Sequence, residues 1–128
     1  MHWGLLLSVG MGGFVGAISR FLLAGWVQKL SHSAFPFGTL SVNLLGSFFI
    51  GFLFFYVQHA NFSPSLKLFW VTGLLGSLTT FSTFSLETLV LFQEQMWAKA
   101  MLNIVLNLGL CLGATLLGMF VFKKILGA

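Results

Sequence analysis

A row of polar side chains runs along the second apolar stretch of the sequence, residues 37–58. Thr39, Asn43 and Ser47 recur at every fourth position, so on a helix they share one face. The Asn amide offers two N–H donors and each hydroxyl offers one, which suits an anion that has lost its water. The alternative is that these groups bond to neighbouring helices and hold a bundle together.

The fourth apolar stretch repeats this pattern. Asn103, Asn107, Cys111 and Thr115 are again four residues apart. One polar residue in an apolar helix usually bonds a neighbouring helix, whereas two helices with continuous polar rows are typical of the walls of a narrow wet pathway. The two rows together therefore favour a pathway for a small polar solute.

The third apolar stretch is unusually rich in hydroxyl groups. Residues 71–88 hold eight Ser or Thr residues and two glycines. Hydroxyl side chains compete for backbone hydrogen bonds, and glycine loosens a helix. We therefore expect a break near 76–80, where freed carbonyl groups could bind a cation. A continuous but bent helix is the alternative.

Two phenylalanines and two ionisable residues add to this set. Phe81 and Phe84 lie three residues apart, on one face of the helix after the expected break. An aromatic ring has a positive edge, so rings turned edge-on can line an anion path; packing alone is the alternative. Arg20 and Glu87 fall inside apolar stretches, where ionisable groups are usually functional. They could line an aqueous vestibule or pair with each other.

A membrane bundle must position these groups, because the composition excludes a soluble enzyme and a nucleic-acid-binding protein. The chain has 128 residues, of which 58% are hydrophobic and 6% are charged, whereas soluble domains have roughly 25% charged residues. A spanning helix needs about 20 apolar residues. The sequence predicts an all-α integral membrane protein, a single transmembrane domain 1–128, with spans at about 3–27, 37–58, 67–92 and 98–122.

Two of these spans carry glycines at helical spacing. Gly12 and Gly16 lie in the first span, and Gly109 and Gly113 lie in the fourth. Small residues four apart let two helix backbones approach closely in lipid, so we expect close packing at both pairs. The alternative is that glycine is simply common in membrane helices.

The positive charges are almost balanced across the membrane. With four spans, the N-terminus, the middle loop and the C-terminus share one side, which holds Lys67, Lys123 and Lys124, while the other holds Lys29 and Lys99. Orientation is normally set by an excess of Lys and Arg on the cytoplasmic side. This balance favours a chain that inserts both ways and pairs antiparallel with itself. A shift of the loop boundaries that restores a bias is the alternative.

Three segments together resemble the Fluc/CrcB family of bacterial fluoride channels. They are GGFVGAISRF (12–21), FGTLSVNLLGSFFIGF (37–52) and GLLGSLTTFSTFSLET (73–88). The likeness covers the four spans in order, and the TTFSTFS core combined with GT-x-x-VN-x-x-G is highly specific. The resemblance implies a passive channel, not an enzyme, that exports cytoplasmic fluoride across the bacterial inner membrane and lowers its toxicity.

The resemblance also implies an assembly. Family members are antiparallel, dual-topology homodimers with two fluoride pores and a structural sodium ion at the centre of the interface. Backbone carbonyls of Gly76 and Thr79 from both subunits would hold the sodium ion. Asn43 would be the pore-lining amide, and the edges of Phe81 and Phe84 would face the fluoride ion.

Further roles follow from the same match. Arg20 would lie on the vestibule side of the first helix, and Glu87 would be the acid that follows the motif. The hydroxyl of Thr80 would support the rings. Together with the polar rows, the resemblance predicts a fluoride pathway of eight side chains: Thr39, Asn43, Phe81, Ser82, Thr83, Phe84, Asn103 and Asn107.

The fourth helix departs from the family pattern. Relatives often carry a tyrosine and serines along its polar row, where this chain has Asn103, Asn107 and Cys111. We keep the two asparagines in the predicted pathway because both still supply donors.

Two rival functions fit a chain with four spans. A small dual-topology multidrug exporter needs a proton-coupling carboxylate deep in its first helix, where this chain has Arg20 and no acid. A structural membrane subunit would not need matched polar rows on two helices. Both rivals are less consistent with the sequence than a channel.

Overall fold

The structure is a computed structural model that describes residues 2–127, and every regular element in that range is a helix. Four stretches are long and apolar enough to cross a membrane, as predicted. The third, Pro64–Gln93, is made of several consecutive helical elements. The elements are α1 (Trp3–Ser31), α2 (Phe37–His59), α3 (Pro64–Lys67), a π-helix (Leu68–Leu75), α4 (Gly76–Leu78), α5 (Phe81–Gln93) and α6 (Trp97–Leu126).

Two helices extend beyond the predicted spans. α1 continues to Ser31 and α6 to Leu126, past the ends expected at 27 and 122. The extra turns carry Gln, Lys and Leu, which are good helix formers even though some are polar. Polarity therefore marks where a span leaves the apolar layer, whereas the helix itself ends later.

The side chain of Gln28 fastens the turn between α1 and α2. α1 ends at Ser31, and the residue that follows, His32, has a left-handed φ of 48°. Gln28 Nε2 then donates to the carbonyl oxygens of Ser33 and Phe35, at 2.9 and 3.0 Å. Its Oε1 accepts from the backbone N–H of Gly38 at 2.9 Å. One amide thus satisfies the Gly38 N–H, which a helix start would leave without an intrahelical partner, and also binds two carbonyl groups of the turn.

The third span is interrupted at Thr79 and Thr80. Their φ/ψ values of −86°/157° and −150°/111° are extended, between the end of α4 and the start of α5. This agrees with the break predicted near 76–80. The π-helix that precedes it was not predicted, and the sequence offers no periodic signal that distinguishes it from an α-helix.

The first glycine pair packs as predicted. A Cβ atom on Gly12 would collide with the backbone carbonyl of Phe69, and one on Gly16 with the carbonyl of Leu74 and the hydroxyl of Ser77. α1 therefore lies directly against the backbone of the π-helix and α4, as small residues permit in lipid.

The prediction for the second glycine pair is wrong within the chain. A Cβ atom on Gly109 or Gly113 would meet nothing within 4 Å, whereas one on Gly118 would collide with the backbone of Phe48 in α2. Gly118 is eleven residues after Asn107, about three turns, so it shares the face of the polar row. Gly109 is two residues after Asn107 and points the other way.

A small apolar core lies between α2 and the third span. Val42, Leu75 and Leu78 are almost fully buried and form one cluster, against which Leu74 and Ala24 pack. Because Val42 precedes Asn43, this cluster fixes α2 beside the break in the third span.

Candidate functional site

Asn43 binds both backbone groups of Thr80, at the break in the third span. Its Oδ1 accepts from the backbone N–H of Thr80 at 2.7 Å, and its Nδ2 donates to the Thr80 carbonyl at 3.2 Å. The same Nδ2 donates to Asn107 Oδ1 at 3.0 Å. The side chain is 9% exposed, so a buried amide supplies the acceptor that the Thr80 N–H would have found in an unbroken helix.

The break frees several backbone carbonyl groups, among them those of Gly76 and Thr79. In an α-helix the carbonyls of Gly76 and Thr79 would accept from the N–H groups of Thr80 and Thr83. Here the Thr80 N–H binds Asn43 Oδ1, and the Thr83 N–H binds Thr80 Oγ1 at 3.1 Å. Gly76 and Thr79 thus have oxygen atoms without their usual helical donors, at the edge of a cavity that both residues line.

The polar row of α6 continues the bonds of Asn43. Asn107 Nδ2 donates to Asn103 Oδ1 at 2.9 Å and to the Asn103 carbonyl at 3.0 Å. Asn103 Nδ2 donates to Thr88 Oγ1 at 2.9 Å, and Thr88 Oγ1 donates to the Phe84 carbonyl at 2.7 Å. Asn43, Asn107, Asn103 and Thr88, here called the amide row, form one buried chain from α2 through α6 to α5.

Three hydroxyl groups cluster at the start of α5. Thr80 Oγ1 donates to Thr83 Oγ1 at 3.0 Å and lies 3.3 Å from Ser82 Oγ. Thr80 is the N-cap of α5, because its Oγ1 accepts from the backbone N–H of Thr83. Its hydroxyl also links the break to the residues that follow it.

The two phenylalanines contact each other in an edge-to-face arrangement. The ring centroids of Phe81 and Phe84 are 5.1 Å apart, with an interplanar angle of 63°. Phe84 is 6% exposed whereas Phe81 is 69% exposed. One ring is thus fixed inside the bundle, and the other presents most of its surface to the outside of the chain.

A cavity of about 360 Å³ lies where these groups meet. It is bounded by α2, the third span and α6. Asn103 and Ser82 do not line it; Asn103 is fully buried behind Asn107. Its lining includes Asn43, Ser47, Gly76, Thr79, Thr80, Phe81, Phe84, Asn107 and Cys111.

A second cavity, of about 380 Å³, contains the ionisable residues Arg20 and Glu87. Thr39 and Thr83 line it as well, and Thr80 lines both cavities. The two spaces therefore approach each other at the break. Thr39 belongs to this second cavity, one turn away from the cavity that Asn43 lines.

Arg20 and Glu87 share the second cavity without binding each other. Arg20 Nε donates to the carbonyl of Ser77 at 3.0 Å. Glu87 Oε1 is buried and lacks a hydrogen-bond partner within residues 2–127. Of the two possibilities left open by the sequence, the arrangement favours groups that line a vestibule over a pair.

The polar groups that line the first cavity are neutral, and apolar side chains make up most of the remaining lining. Its lining includes neither Lys nor Arg, so an anion there would be bound through amide, hydroxyl and aromatic dipoles. Weak and multiple sites of this kind permit release as well as binding, which conduction requires.

Two polar residues of this region were not singled out from the sequence. Thr88 closes the amide row, and Gln28 lines the second cavity while it fastens the first turn. Thr88 lies four residues after Phe84, so helical spacing could have pointed to it. No local pattern pointed to Gln28, because its partners lie in an irregular turn.

Comparison with known proteins assigns the chain to a family. The model of a family described as CrcB-like protein, Camphor Resistance (CrcB), matches residues 7–119. The chain belongs to the CrcB-like family. The match covers the second and third spans in full and most of the first and fourth, so the broken third span and the amide row both lie within the part that the CrcB-like family shares.

Curated members of the CrcB-like family match almost the whole chain. A protein of a Nitratiruptor species is 53% identical over 99% of this chain and 98% of its own length. One of a Sulfurovum species is 58% identical over 96% and 97%, and one of a Shewanella species is 51% identical over 94% and 98%. Each of these three relatives is named "Fluoride-specific ion channel FluC".

Proposed function

We propose that this multi-pass membrane protein is a fluoride-selective passive channel. Its role would be to export cytoplasmic fluoride and lower its toxicity. The observation that carries the proposal is the cavity where Asn43, Asn107, Phe81 and Phe84 meet at the broken third span. The names of the relatives, at 51–58% identity over almost the whole chain, support the same function.

Fluoride would pass by exchanging hydrogen-bond acceptors. Both N–H groups of Asn43 are engaged, with the Thr80 carbonyl and with Asn107 Oδ1. A fluoride ion in the cavity can replace either acceptor, so the amide loses no hydrogen bond while the ion gains one. The exchange stays reversible because no permanent charge of the cavity lining holds the ion.

The remaining pathway residues would act in two groups. Thr39 and Thr83 line the second cavity and Ser82 bonds the Thr80 hydroxyl, so these three would supply donors near the vestibule. Asn107 would line the path beside Phe84, where its Nδ2 donates to Asn103 behind it and its Oδ1 accepts from Asn43. Phe81 and Phe84 would present their positive edges to the ion.

Arg20 and Glu87 would shape the vestibule. The Arg20 guanidinium, anchored through Nε to Ser77, raises the local concentration of anions at the mouth of the path. Glu87 lies in the same space and carries a carboxylate that would limit how tightly an anion is held. The two groups together would attract fluoride to the vestibule without binding it tightly.

The working assembly would be an antiparallel homodimer. Phe81 exposes most of its ring on the surface of the chain, and the lysine count of the two sides is almost equal. Chains that insert in both orientations could pair across a twofold axis and cover that ring. The partners would then be a second copy, fluoride, sodium and the lipid bilayer, and the location would be the bacterial inner membrane.

A sodium ion fits the oxygen atoms freed by the break. Gly76 and Thr79 offer carbonyl groups whose usual helical donors bind Asn43 and Thr80 instead. Na⁺ is coordinated by unwound backbone carbonyls in membrane transporters. The two carbonyls of each chain would hold the ion at the twofold axis, and the bound charge would tie two chains together at their breaks.

The rival functions are not favoured. A proton-coupled multidrug exporter would need an acid in the first span, and α1 contains no Asp or Glu. A structural subunit would not account for a polar cavity at a broken helix. The relatives are named as channels and not as enzymes.

Efflux from liposomes that contain only the purified protein tests the channel. We expect fluoride to leave when a potassium ionophore sets the membrane potential, and chloride to stay. Equal fluxes of the two anions, or fluoride flux only with a proton gradient, would contradict the proposal. Labelling of C-terminal tags in intact cells tests the dual orientation, since tags on a single side would refute it.

A further inference from the structure

The amide row is closed at both ends by backbone groups of the same helix. It begins at the N–H of Thr80, which donates to Asn43 Oδ1, and it ends at the carbonyl of Phe84, which accepts from Thr88 Oγ1. These two residues are four positions apart at the start of α5. The row therefore leaves α5, passes through α2 and α6, and returns to α5 one turn later.

The chemistry of the two ends fixes the direction of every bond between them. A hydroxyl group has one hydrogen, and that of Thr88 is used on the Phe84 carbonyl. Thr88 Oγ1 can then only accept, so Asn103 must donate to it and must turn its own Oδ1 to Asn107. Asn107 in turn donates to Asn103 and presents its Oδ1 to Asn43.

The end of the amide row at Thr80 requires the same order of donors and acceptors. A backbone N–H can only donate, so Asn43 must present Oδ1 to Thr80 and keep its Nδ2 for the Thr80 carbonyl and for Asn107. If the amide of Asn107 rotated by half a turn, its N–H would face the N–H of Asn43. Two donors would then oppose each other in a buried space, which is unfavourable.

We propose that Thr88 is a positioning residue, which orients Asn103 and Asn107 and, together with the Thr80 N–H at the other end of the amide row, holds Asn43 in the orientation that keeps the break and its donors in place. The inference rests on the proposed function, because the orientation of Asn43 decides whether a passing anion meets N–H groups or a carbonyl oxygen. Thr88 is 6% exposed and lines neither cavity, so it acts through Asn103 and not through contact with the ion.

Replacement of the hydroxyl group tests this role. Thr88→Val keeps the shape of the side chain and removes its hydrogen bonds, whereas Thr88→Ser keeps the hydroxyl group. We expect fluoride efflux from liposomes, per mole of folded protein, to fall roughly tenfold in Thr88→Val because the buried donor of Asn103 loses its acceptor. We expect Thr88→Ser to stay within about twofold of the unmodified chain, since the polar contacts are retained.

Two further variants separate positioning from folding. Ser41→Ala is the matched control, because the Ser41 hydroxyl also donates to a carbonyl four residues back, that of Phe37, but within residues 2–127 accepts from no side-chain amide. Its efflux should equal that of the unmodified chain. Thr88→Ala also removes the hydroxyl group and replaces Thr88→Val in the assay if that variant does not fold. It should show the same loss of efflux that we expect of Thr88→Val.

The outcomes distinguish the inference from the function it rests on. If the unmodified chain carries no fluoride, the proposed function has failed. If it carries fluoride and Thr88→Val or Thr88→Ala carries it equally well, only the positioning role of Thr88 is overturned. A loss of folded yield with normal efflux per folded protein, or a serine variant as impaired as valine, would also overturn it.

Discussion

The two halves of the broken third span are held by different kinds of contact. The first half, the π-helix and α4, lies against α1, where Gly12 and Gly16 bring the backbones together. The second half, α5, is joined through the amide row to α2 and α6, by way of Asn43 and Thr88. We refer to these as the glycine contact and the amide row.

The two kinds of contact differ in whether a pathway can form beside them. The glycine contact depends on the absence of a side chain, so it tolerates changes in polarity but not in volume. The amide row depends on the direction of donors and acceptors, so it is sensitive to changes of chemistry at constant volume. An anion can take the place of an acceptor in the amide row, whereas nothing can enter between two touching backbones.

The largest effect is expected from added volume in the glycine contact. Gly16→Val would place a branched side chain against the Leu74 carbonyl and the Ser77 hydroxyl, and the backbone cannot move away without separating α1 from α4. We expect a loss of about 3 kcal/mol in the free energy of unfolding. Unfolding in detergent, followed by circular dichroism, measures it.

Gly10→Ala is the matched control for this variant, because a Cβ atom on Gly10 meets nothing within 4 Å. It should be neutral or stabilising by up to about 1 kcal/mol through helix propensity. Equal destabilisation by the two variants would contradict the glycine contact.

A change of chemistry at constant volume should disrupt the amide row. Asn43→Leu would leave the Thr80 N–H and Asn107 Oδ1 without partners in a buried space. We expect the free energy of unfolding to fall by about 2 kcal/mol and fluoride efflux to fall by about a hundredfold. The liposome assay and detergent unfolding check the two effects, with Ser41→Ala as the control. Efflux that survives in Asn43→Leu would exclude this amide from the path.

Much of the fold, and part of the candidate site, could be predicted from the sequence. The four spans, the break near Thr80 and the packing of Gly12 and Gly16 follow from apolar length, from an excess of hydroxyl residues and from helical spacing. The same spacing placed Asn43 and Asn107 on the inner faces of α2 and α6. The roles of the pathway and sodium residues stay predictions of the family resemblance.

The remaining features depend on partners that are distant in the sequence. Thr88 meets Asn103 across two helices, and Gln28 meets the irregular turn before α2, so neither contact leaves a local pattern. The choice of Gly118 over Gly109 also depends on which face of α6 turns toward α2. Spacing defines faces of a helix, but packing decides which face is used.

The smallest effect is expected from the only side-chain hydroxyl that we find at the glycine contact within residues 2–127, that of Ser77. Its Oγ lies 3.0 Å from the Gly13 carbonyl of α1 and 2.7 Å from the Gly73 carbonyl of its own span. The hydroxyl has one hydrogen for the two carbonyl oxygens, so Ser77→Ala removes a single hydrogen bond. The glycine contact itself is maintained by close backbone packing, which this substitution leaves unchanged. We expect a loss of about 0.6 kcal/mol in the free energy of unfolding, with fluoride efflux unchanged. A loss as large as that of Gly16→Val would contradict this view. It would mean that hydrogen bonding, and not the close packing of two backbones, holds the first half of the third span to α1.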